Sequence, residues 1–183
     1  MARVYLSLGS NLGDRLALLR AAIAELERTA GIETVAASPL YEAEPWESEP
    51  GQALGERAWY LNCAVAIETS LAPKALLARV QDIEAALGRT RPPVLTPEAS
   101  RFQPRTVDID ILFYEDQVVS VPDELQIPHL LAHERAFVLR PLADLAPDLM
   151  HPVLYQTVRD LLEALDDDHD IRRGDYPAGW FVD

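Results

Sequence analysis

The chain has 183 residues, of which 49% are hydrophobic and 25% charged, a composition typical of one globular domain with a sizeable core. Its formal charge of −14 disfavours polyanionic partners, so we expect neither nucleic acid nor a membrane surface as a ligand. A single cysteine, Cys63, excludes an internal disulfide, and neither a secretory leader pattern nor an apolar run of membrane-spanning length is present, so we expect a cytoplasmic protein.

Hydrophobic periodicity divides the first half of the chain into strands, helices and one long loop. The predicted elements are a strand at 4–8, a helix ending near residue 29, a strand at 32–41, a loop at 42–57, a strand at 59–68 and a helix at 73–87. In the third strand, odd-numbered apolar residues from Leu61 share one face, while Tyr60 and Asn62 lie on the other.

The second half begins with a proline-rich loop at 89–104. We then predict a strand at 106–113, a hairpin to 117–119, short helices at 128–145, a last helix at 157–165, and a tail at 166–183 too charged to join the core. This order predicts an α+β fold with a ferredoxin-like βαββαβ core, in which helices pack on a mostly antiparallel sheet. One domain would span 1–165, followed by an acidic C-terminal tail at 166–183.

Two aspartates on the predicted strand at 106–113 are candidate metal ligands. Asp108 and Asp110 point to the same face, ~6.6 Å apart along the backbone, and the apolar residues between and beside them, up to Phe113, point to the core. Paired carboxylates backed by apolar residues are costly without a cation, and Mg²⁺ prefers oxygen ligands together with water and phosphate. An ordinary solvated strand face is the alternative, because the same spacing recurs in the tail.

A small basic region precedes this strand. Residues 89–105 contain Arg89, Arg91, Arg101 and Arg105 but only one acidic residue, Glu98, which gives a local charge of +3. Arginine presents a planar set of donors that suits phosphate oxygens. A basic island on an acidic protein indicates a small anionic ligand rather than a polymer.

Other motifs have two interpretations. The turn at 9–14 could cradle phosphate, but a tight turn with Asn11 or Asp14 capping the following helix is favoured. His129 and His133 have the spacing of a metal pair, yet lack the glutamate of H-E-x-x-H, so this role is disfavoured.

Several segments occur in an order that identifies a family. They are 6–15, 41–46, 60–62, 81–84, 88–91, 104–110, 127–129 and 135–142. Together they resemble the dihydropterin pyrophosphokinases of folate biosynthesis, which transfer pyrophosphate from ATP to hydroxymethyl-dihydropterin. The resemblance covers about residues 4–150 and implies ATP and a dihydropterin as ligands. We expect a monomer.

The resemblance also implies residue roles. Asp108 and Asp110 would hold two Mg²⁺ ions, with Asp110 as a candidate proton acceptor. The residues implied to act on the phosphates are Arg89, Arg91 and Arg105. Those implied to line the nucleotide site are Gln81, Glu84, Ile111, His129 and Arg135. Those implied to border the pterin are Ala43, Trp46, Tyr60, Asn62, Phe102 and Phe137.

The sequence departs from the family pattern at a few positions. Ala43 replaces a usual threonine, and Phe102 and Gln103 replace a usual Trp-Gly pair. These changes leave a pterin- and ATP-binding homologue with impaired catalysis as an alternative. Nucleotidyl transfer is a second alternative, although there the Gly-Ser and Asp-x-Asp motifs lie close together, whereas Gly9 and Asp108 are far apart in this chain.

Overall fold

A computed structural model describes residues 1–46, 48, 50–51, 59–89 and 105–182. The elements are β1 Ala2–Ser10, α1 Arg15–Arg28, β2 Ile32–Ala37, β3 Tyr41–Ala43, β4 Tyr60–Thr69, α2 Pro73–Ala86, β5 Asp108–Tyr114, β6 Val119–Val121, β7 Leu125–Ile127, α3 Ala136–Leu145, α4 Val158–Glu163 and β8 Ile171–Arg173. The predicted α+β class is confirmed. In the part of the chain that these ranges cover, every helix is too short or too polar to cross a membrane.

The main sheet is antiparallel, and β1 lies inside it. β4 pairs with one edge of β1 and β5 with the other, while β2 and β3 pair with successive parts of the free edge of β4. The predicted strand at 32–41 is therefore two strands, separated at residues 38–40. With α1 between β1 and β2, and α2 between β4 and β5, this is the predicted βαββαβ core.

Helices cover both faces of the sheet, because apolar residues alternate to both sides of the central strands. On one face, Leu19 and Leu26 of α1 pack against the sheet together with Val80 of α2. On the other face, Leu139 of α3 and Leu161 of α4 pack in one cluster with Ala64 of β4. Burying each large apolar side chain contributes ~1.5–3 kcal/mol. The two layers hold the ends of β1, β4 and β5 in a fixed register.

A β-bulge in β5 changes one predicted orientation. The pairing with β1 shifts between Tyr5 and Leu6, which face Phe113 and Ile111 respectively, so Leu112 is an extra residue. Because a bulge interrupts the alternation of side chains, Phe113 packs with α3 on the opposite face from Ile111. The predicted placement of Phe113 with Ile111 is wrong, whereas Asp108 and Asp110, which precede the bulge, keep a common face.

The predicted hairpin between β5 and residues 117–119 is also wrong. After Tyr114 the chain turns through Glu115, which has a φ of 49°. β6 then pairs with β7 in a separate two-stranded sheet. The local connection between β6 and β7 is short, so this pairing closes a small loop at little cost in chain entropy.

The C-terminal residues 166–182 do not form the separate tail predicted from their charge. β8 adds to the edge of the main sheet by pairing with β3. Trp180 is only 3% exposed, belongs to the core cluster beside α1, and donates its indole N–H to Ser38 O at 2.8 Å. The prediction failed because many charged side chains of this segment, such as those of Arg172 and Arg173, face solvent, while Trp180 and the buried carboxylate of Asp167 anchor it.

Candidate active site

A cleft of about 270 Å³ opens on the α3 face of the sheet, where the end of β1 meets the starts of β4 and β5. The antiparallel register places Gly9 opposite both Asn62 and Asp108, and Ser7 opposite Asp110. Most residues assigned to ligand sites from the sequence line this cleft. They are Trp46, Tyr60, Asn62, Arg89, Arg105, Asp108, Asp110, His129, Arg135 and Phe137.

Asp108 is ion-paired with two arginines. One oxygen accepts from Arg89 Nη1 and the other from Arg105 Nη1, and its side chain is 17% exposed. Burial by itself would raise the pKa of Asp108, but the charges of Arg105 and Arg89 hold it below the usual value. Asp108 is therefore ionised at neutral pH, with its charge balanced by guanidinium groups.

Asp110 has the opposite electrostatic environment. Burial, followed by the negative charge of Asp108, raises the pKa of Asp110 to about 7. Arg135 and Arg105 partly offset this increase. The two carboxylates therefore differ in protonation although they share one strand face, and a cation placed beside them would favour the ionised form of both.

Arg89 reaches the cleft from the end of α2. Gly88, with a φ of 88°, follows the helix in a conformation that favours glycine, and the side chain of the next residue, Arg89, reaches Asp108 of β5. Glu84 of α2, only 2% exposed, accepts a hydrogen bond from Ile109 N at 2.8 Å and also pairs with Arg89. Glu84 therefore joins α2 to the start of β5 and fixes Arg89 beside Asp108.

The turn after β1 positions Arg105 on the other side of Asp108. Asn11 Oδ1 accepts from Arg105 N at 2.7 Å, and Asn11 N donates to Arg105 O at 3.2 Å. Asp14 caps α1 by accepting from Ala17 N at 3.0 Å. These contacts match the tight-turn interpretation of residues 9–14, with Asn11 as a tether for Arg105 and Asp14 as the helix cap.

Aromatic and amide groups line the remainder of the cleft. Asn62 is 2% exposed, and its Nδ2 has no hydrogen-bond partner among the residues that the structure describes. A buried donor of this kind is costly unless a ligand accepts from it. The guanidinium carbon of Arg135 lies 5.6 Å from the ring centroid of Trp46 and 5.7 Å from that of Phe137, within the range of cation–π contacts.

His129 is held neutral beside Arg135. Burial, followed by the positive charge of Arg135, lowers the pKa of His129 to about 4. Its Nδ1 lies 3.3 Å from Leu131 N, which donates to it. The remaining ring nitrogen, Nε2, is therefore protonated at neutral pH and can donate a hydrogen bond to a ligand oxygen.

Four of the described residues that were assigned from the sequence do not line the cleft, namely Ala43, Gln81, Glu84 and Ile111. Ala43 is 3% exposed on β3, and Ile111 is 4% exposed in the core on the α1/α2 face. Gln81 is half-buried on α2, one turn before the buried Glu84 that supports Arg89 from behind. Arg91 and Phe102, together with the departure at Gln103, lie outside the described residues.

The cleft also contains residues that sequence reasoning missed. They are Ser7 and Glu44, together with Gly9, which was considered only as part of the turn at 9–14. Ser7 and Gly9 could have been found, because they alternate with the core residues Leu6 and Leu8 along β1. Glu44 is 6% exposed, and nothing local in its sequence indicates burial.

The donors present suit magnesium. Among the described residues, no group of three or more histidine, cysteine or acidic side chains is arranged to hold a metal ion. Two carboxylates on one strand face, without histidine or thiolate ligands, match the preference of Mg²⁺ for one or two protein oxygens, with water and substrate phosphate completing its shell. The unfavourable proximity of Asp108 to Asp110 is an independent indication that this pair fits a cation.

Comparisons with known proteins agree on one family. A sequence profile described as 7,8-dihydro-6-hydroxymethylpterin-pyrophosphokinase (HPPK) matches residues 5–147. A Methylorubrum extorquens protein named 2-amino-4-hydroxy-6-hydroxymethyldihydropteridine pyrophosphokinase is 46% identical over 166 residues, which cover 91% of this chain and 95% of that protein. A Pseudomonas aeruginosa protein of the same name is 42% identical over 150 residues, covering 82% of this chain and 84% of that protein.

The fold is also found in a solved structure. The crystal structure of wild-type Plasmodium falciparum HPPK-DHPS aligns with 88% of this chain at a TM-score of 0.64 and 18% identity. This chain spans only 44% of that longer protein. The likeness therefore concerns the fold of one part of the Plasmodium chain.

Proposed function

The chain belongs to the 7,8-dihydro-6-hydroxymethylpterin-pyrophosphokinase family, and we propose that the cleft between β1, β4, β5 and the start of α3 is its active site. As a member of this family the protein is a pyrophosphokinase, which transfers a pyrophosphoryl group from ATP to hydroxymethyl-dihydropterin in folate biosynthesis. The observation that carries the assignment of the site is the pair Asp108 and Asp110, flanked by Arg89 and Arg105 in one cleft.

The reaction exchanges a phosphoanhydride bond of ATP for a phosphoester bond to the pterin. The hydroxymethyl oxygen of the pterin attacks the β-phosphorus of ATP, the bond from that phosphorus to the oxygen shared with the α-phosphate breaks, and AMP leaves with that oxygen. Catalysis of this kind depends on positioning and on neutralising phosphate charge. The cleft supplies both requirements from fixed elements, namely three paired strands and two helix ends.

Arg89 and Arg105 neutralise Asp108 in the ligand-free protein and would exchange this partner for phosphate oxygens when ATP binds. Each arginine is held from behind, Arg89 by Glu84 and Arg105 by its backbone contacts with Asn11. Such pre-positioned donors lose little order when the transition state forms. Arg91 is assigned to the same task by its place in the family motif.

Asp108 and Asp110 would hold two Mg²⁺ ions, which supply charge neutralisation and orient the phosphates. The pKa of Asp110 is about 7 in the ligand-free protein, so its carboxyl can both bind and release a proton near neutral pH. We assign Asp110 the role of metal ligand first. Accepting the hydroxymethyl proton is a second role for the same side chain.

The pterin would bind beside Asn62, whose buried Nδ2 has no hydrogen-bond partner in the described part of the chain and provides a donor for the polar edge of the bicycle. Tyr60 and Phe137 supply aromatic faces in the same cleft, and Trp46 borders it. His129 and Arg135, which line the same cleft, would contact the nucleotide. Gln81 and Ile111 do not line the cleft, so they would affect nucleotide binding only through the residues that do. Ala43 would border the pterin through its backbone on β3.

The test is a turnover assay with ATP, Mg²⁺ and 6-hydroxymethyl-7,8-dihydropterin. AMP should form in equal amount to the pterin diphosphate. Release of inorganic pyrophosphate would instead indicate nucleotidyl transfer, and ligand binding without AMP would indicate a binding protein. Asp110→Ala should reduce turnover by at least ~100-fold, the order of loss expected for a transition-state contact, without changing the circular dichroism spectrum.

We further propose that the enzyme works as a monomer in the cytoplasm. The carboxylates and arginines that we assign to the reaction, Asp108, Asp110, Arg89 and Arg105, line one cleft of a single chain. The only cysteine, Cys63, is buried and unpaired, which agrees with a reducing compartment. Light scattering at micromolar concentration should give the mass of one chain.

A further inference from the structure

Asp167, His169 and Asp170 of the C-terminal segment connect two walls of the cleft, the start of α3 on one side and the residues around Trp46 on the other. The side chain of Asp167 is 1% exposed, and its Oδ2 accepts from Ala136 N at 2.8 Å, at the first residue of α3. Its Oδ1 accepts from His169 N at 3.1 Å and lies 2.7 Å from His169 Nδ1. Asp167 therefore ties the start of α3, which carries Arg135 and Phe137, to His169.

His169 continues this connection to the opposite wall. Its side chain is 13% exposed, its Nε2 donates to Ser48 O at 2.9 Å, and its ring lies 5.3 Å from that of Trp46. Both ring nitrogens face oxygen acceptors, so the doubly protonated ring satisfies both contacts. Although burial by itself would lower the pKa of His169, the Ser48 carbonyl and the Asp167 carboxylate raise it above the ordinary value.

Glu44 adds a second link between the same segments. Its Oε2 accepts from Asp170 N at 3.0 Å and from Gly51 N at 3.1 Å, while its own backbone N donates to Asp170 O at 3.0 Å. Glu44 and Ser48, the described residues on either side of Trp46, are thus both hydrogen-bonded to the C-terminal segment. Trp46 in turn contacts Arg135, which also lies over Phe137.

We propose that Asp167 and His169 are positioning residues for pterin binding: they hold Trp46 at a fixed distance from Arg135 and Phe137 and so set the width of the cleft. The inference rests on the proposed active site. It assigns a role in that site to a segment beyond the part of the chain that the family profile matches. His169 acts through Trp46, and Asp167 acts through both His169 and the start of α3.

The test compares His169→Ala and Asp167→Asn with Asp168→Asn, a neighbouring change at an exposed position of the same segment. For each variant kcat, the KM of the dihydropterin, the KM of ATP and Tm are measured. Losing one or two hydrogen bonds that order a wall should raise the pterin KM about tenfold in the first two variants. Their kcat should stay within about twofold, their ATP KM should rise less than the pterin KM because Arg135 also lies beside the tethered start of α3, and Asp168→Asn should match the parent.

A double-mutant cycle separates positioning from general loosening. If His169 acts through Trp46, then His169→Ala should have no further effect on the pterin KM in a Trp46→Ala background. Additive effects, an unchanged pterin KM, or a proportional change in kcat and both KM values would each overturn the inference. A parent protein that forms no AMP would refute the proposed function instead, so the two failures are distinguishable.

Discussion

Replacing Asp110 by asparagine should abolish turnover and yet stabilise the ligand-free protein above neutral pH. The pKa of Asp110 is raised to about 7 by burial and by the charge of Asp108. Between the unfolded pKa near 3.8 and about 7, the unfolded chain has released this proton while the folded chain still holds it. Stability is therefore complete at low pH and declines as the pH rises toward the folded pKa. Asparagine, which resembles the protonated carboxyl but cannot ionise, removes this decline.

The size of the effect follows from the shift. One pKa unit corresponds to about 1.36 kcal/mol, so a shift of roughly three units gives at most ~4 kcal/mol at pH 8 and close to zero at pH 4. Asp108→Asn is the matched control and should have the opposite sign. It leaves Arg89 and Arg105 without their shared partner, and breaking a buried pair costs ~3–5 kcal/mol, reduced here to ~2–3 kcal/mol because the side chain is 17% exposed.

Urea denaturation at pH 5 and pH 8, in the presence of a chelator, measures both variants against the parent. Asp110→Asn should raise the free energy of unfolding at pH 8 far more than at pH 5, and Asp108→Asn should lower it at pH 8. Equal effects of Asp110→Asn at the two pH values, or destabilisation by it at pH 8, would refute the electrostatic argument. Mg²⁺ with a nucleotide analogue at about 100 times its Kd should then stabilise the parent by ~2.7 kcal/mol but not Asp110→Asn.

Three further variants test other parts of the structure. Gly9→Ala would place its Cβ 2.8 Å from Asn62 Oδ1, so we expect pterin affinity to fall about tenfold by calorimetry, with ATP affinity unchanged; equal losses for both ligands would contradict the placement of the pterin at Asn62. Trp180→Ala should destabilise the protein by ~3–5 kcal/mol, since the indole is 3% exposed in the core; a thermal melt like that of the parent would show that the C-terminal segment is not anchored there. Arg89→Ala should lower kcat by ~10²–10³, whereas Arg79→Ala, on the exposed face of α2, should not; equal kcat values for the two variants would exclude a phosphate role for Arg89.

The sequence by itself determined the class of fold and the common face of the two aspartates in the candidate site, because both depend on local patterns. Alternation places Asp108 and Asp110 on one face wherever the strand lies, and the order of strands and helices limits the topology to few solutions. The turn at 9–14 was likewise interpreted correctly, since Asp14 caps the helix that follows it at once.

Only the tertiary structure decided which residues meet across the cleft and how each is charged. Glu84 was assigned to the nucleotide site, but it accepts a hydrogen bond from Ile109 N and pairs with Arg89, and these contacts make it a buried support. The β-bulge that places Phe113 on the α3 face depends on the register between β5 and β1. The anchoring of Trp180 depends on a hydrogen bond to Ser38, which is far away in the chain. The composition of the C-terminal segment reports only its high content of charged residues. Its packing depends on a few side chains, such as Trp180, that contact the rest of the protein. Such contacts join residues distant in sequence, and local periodicity carries no information about them.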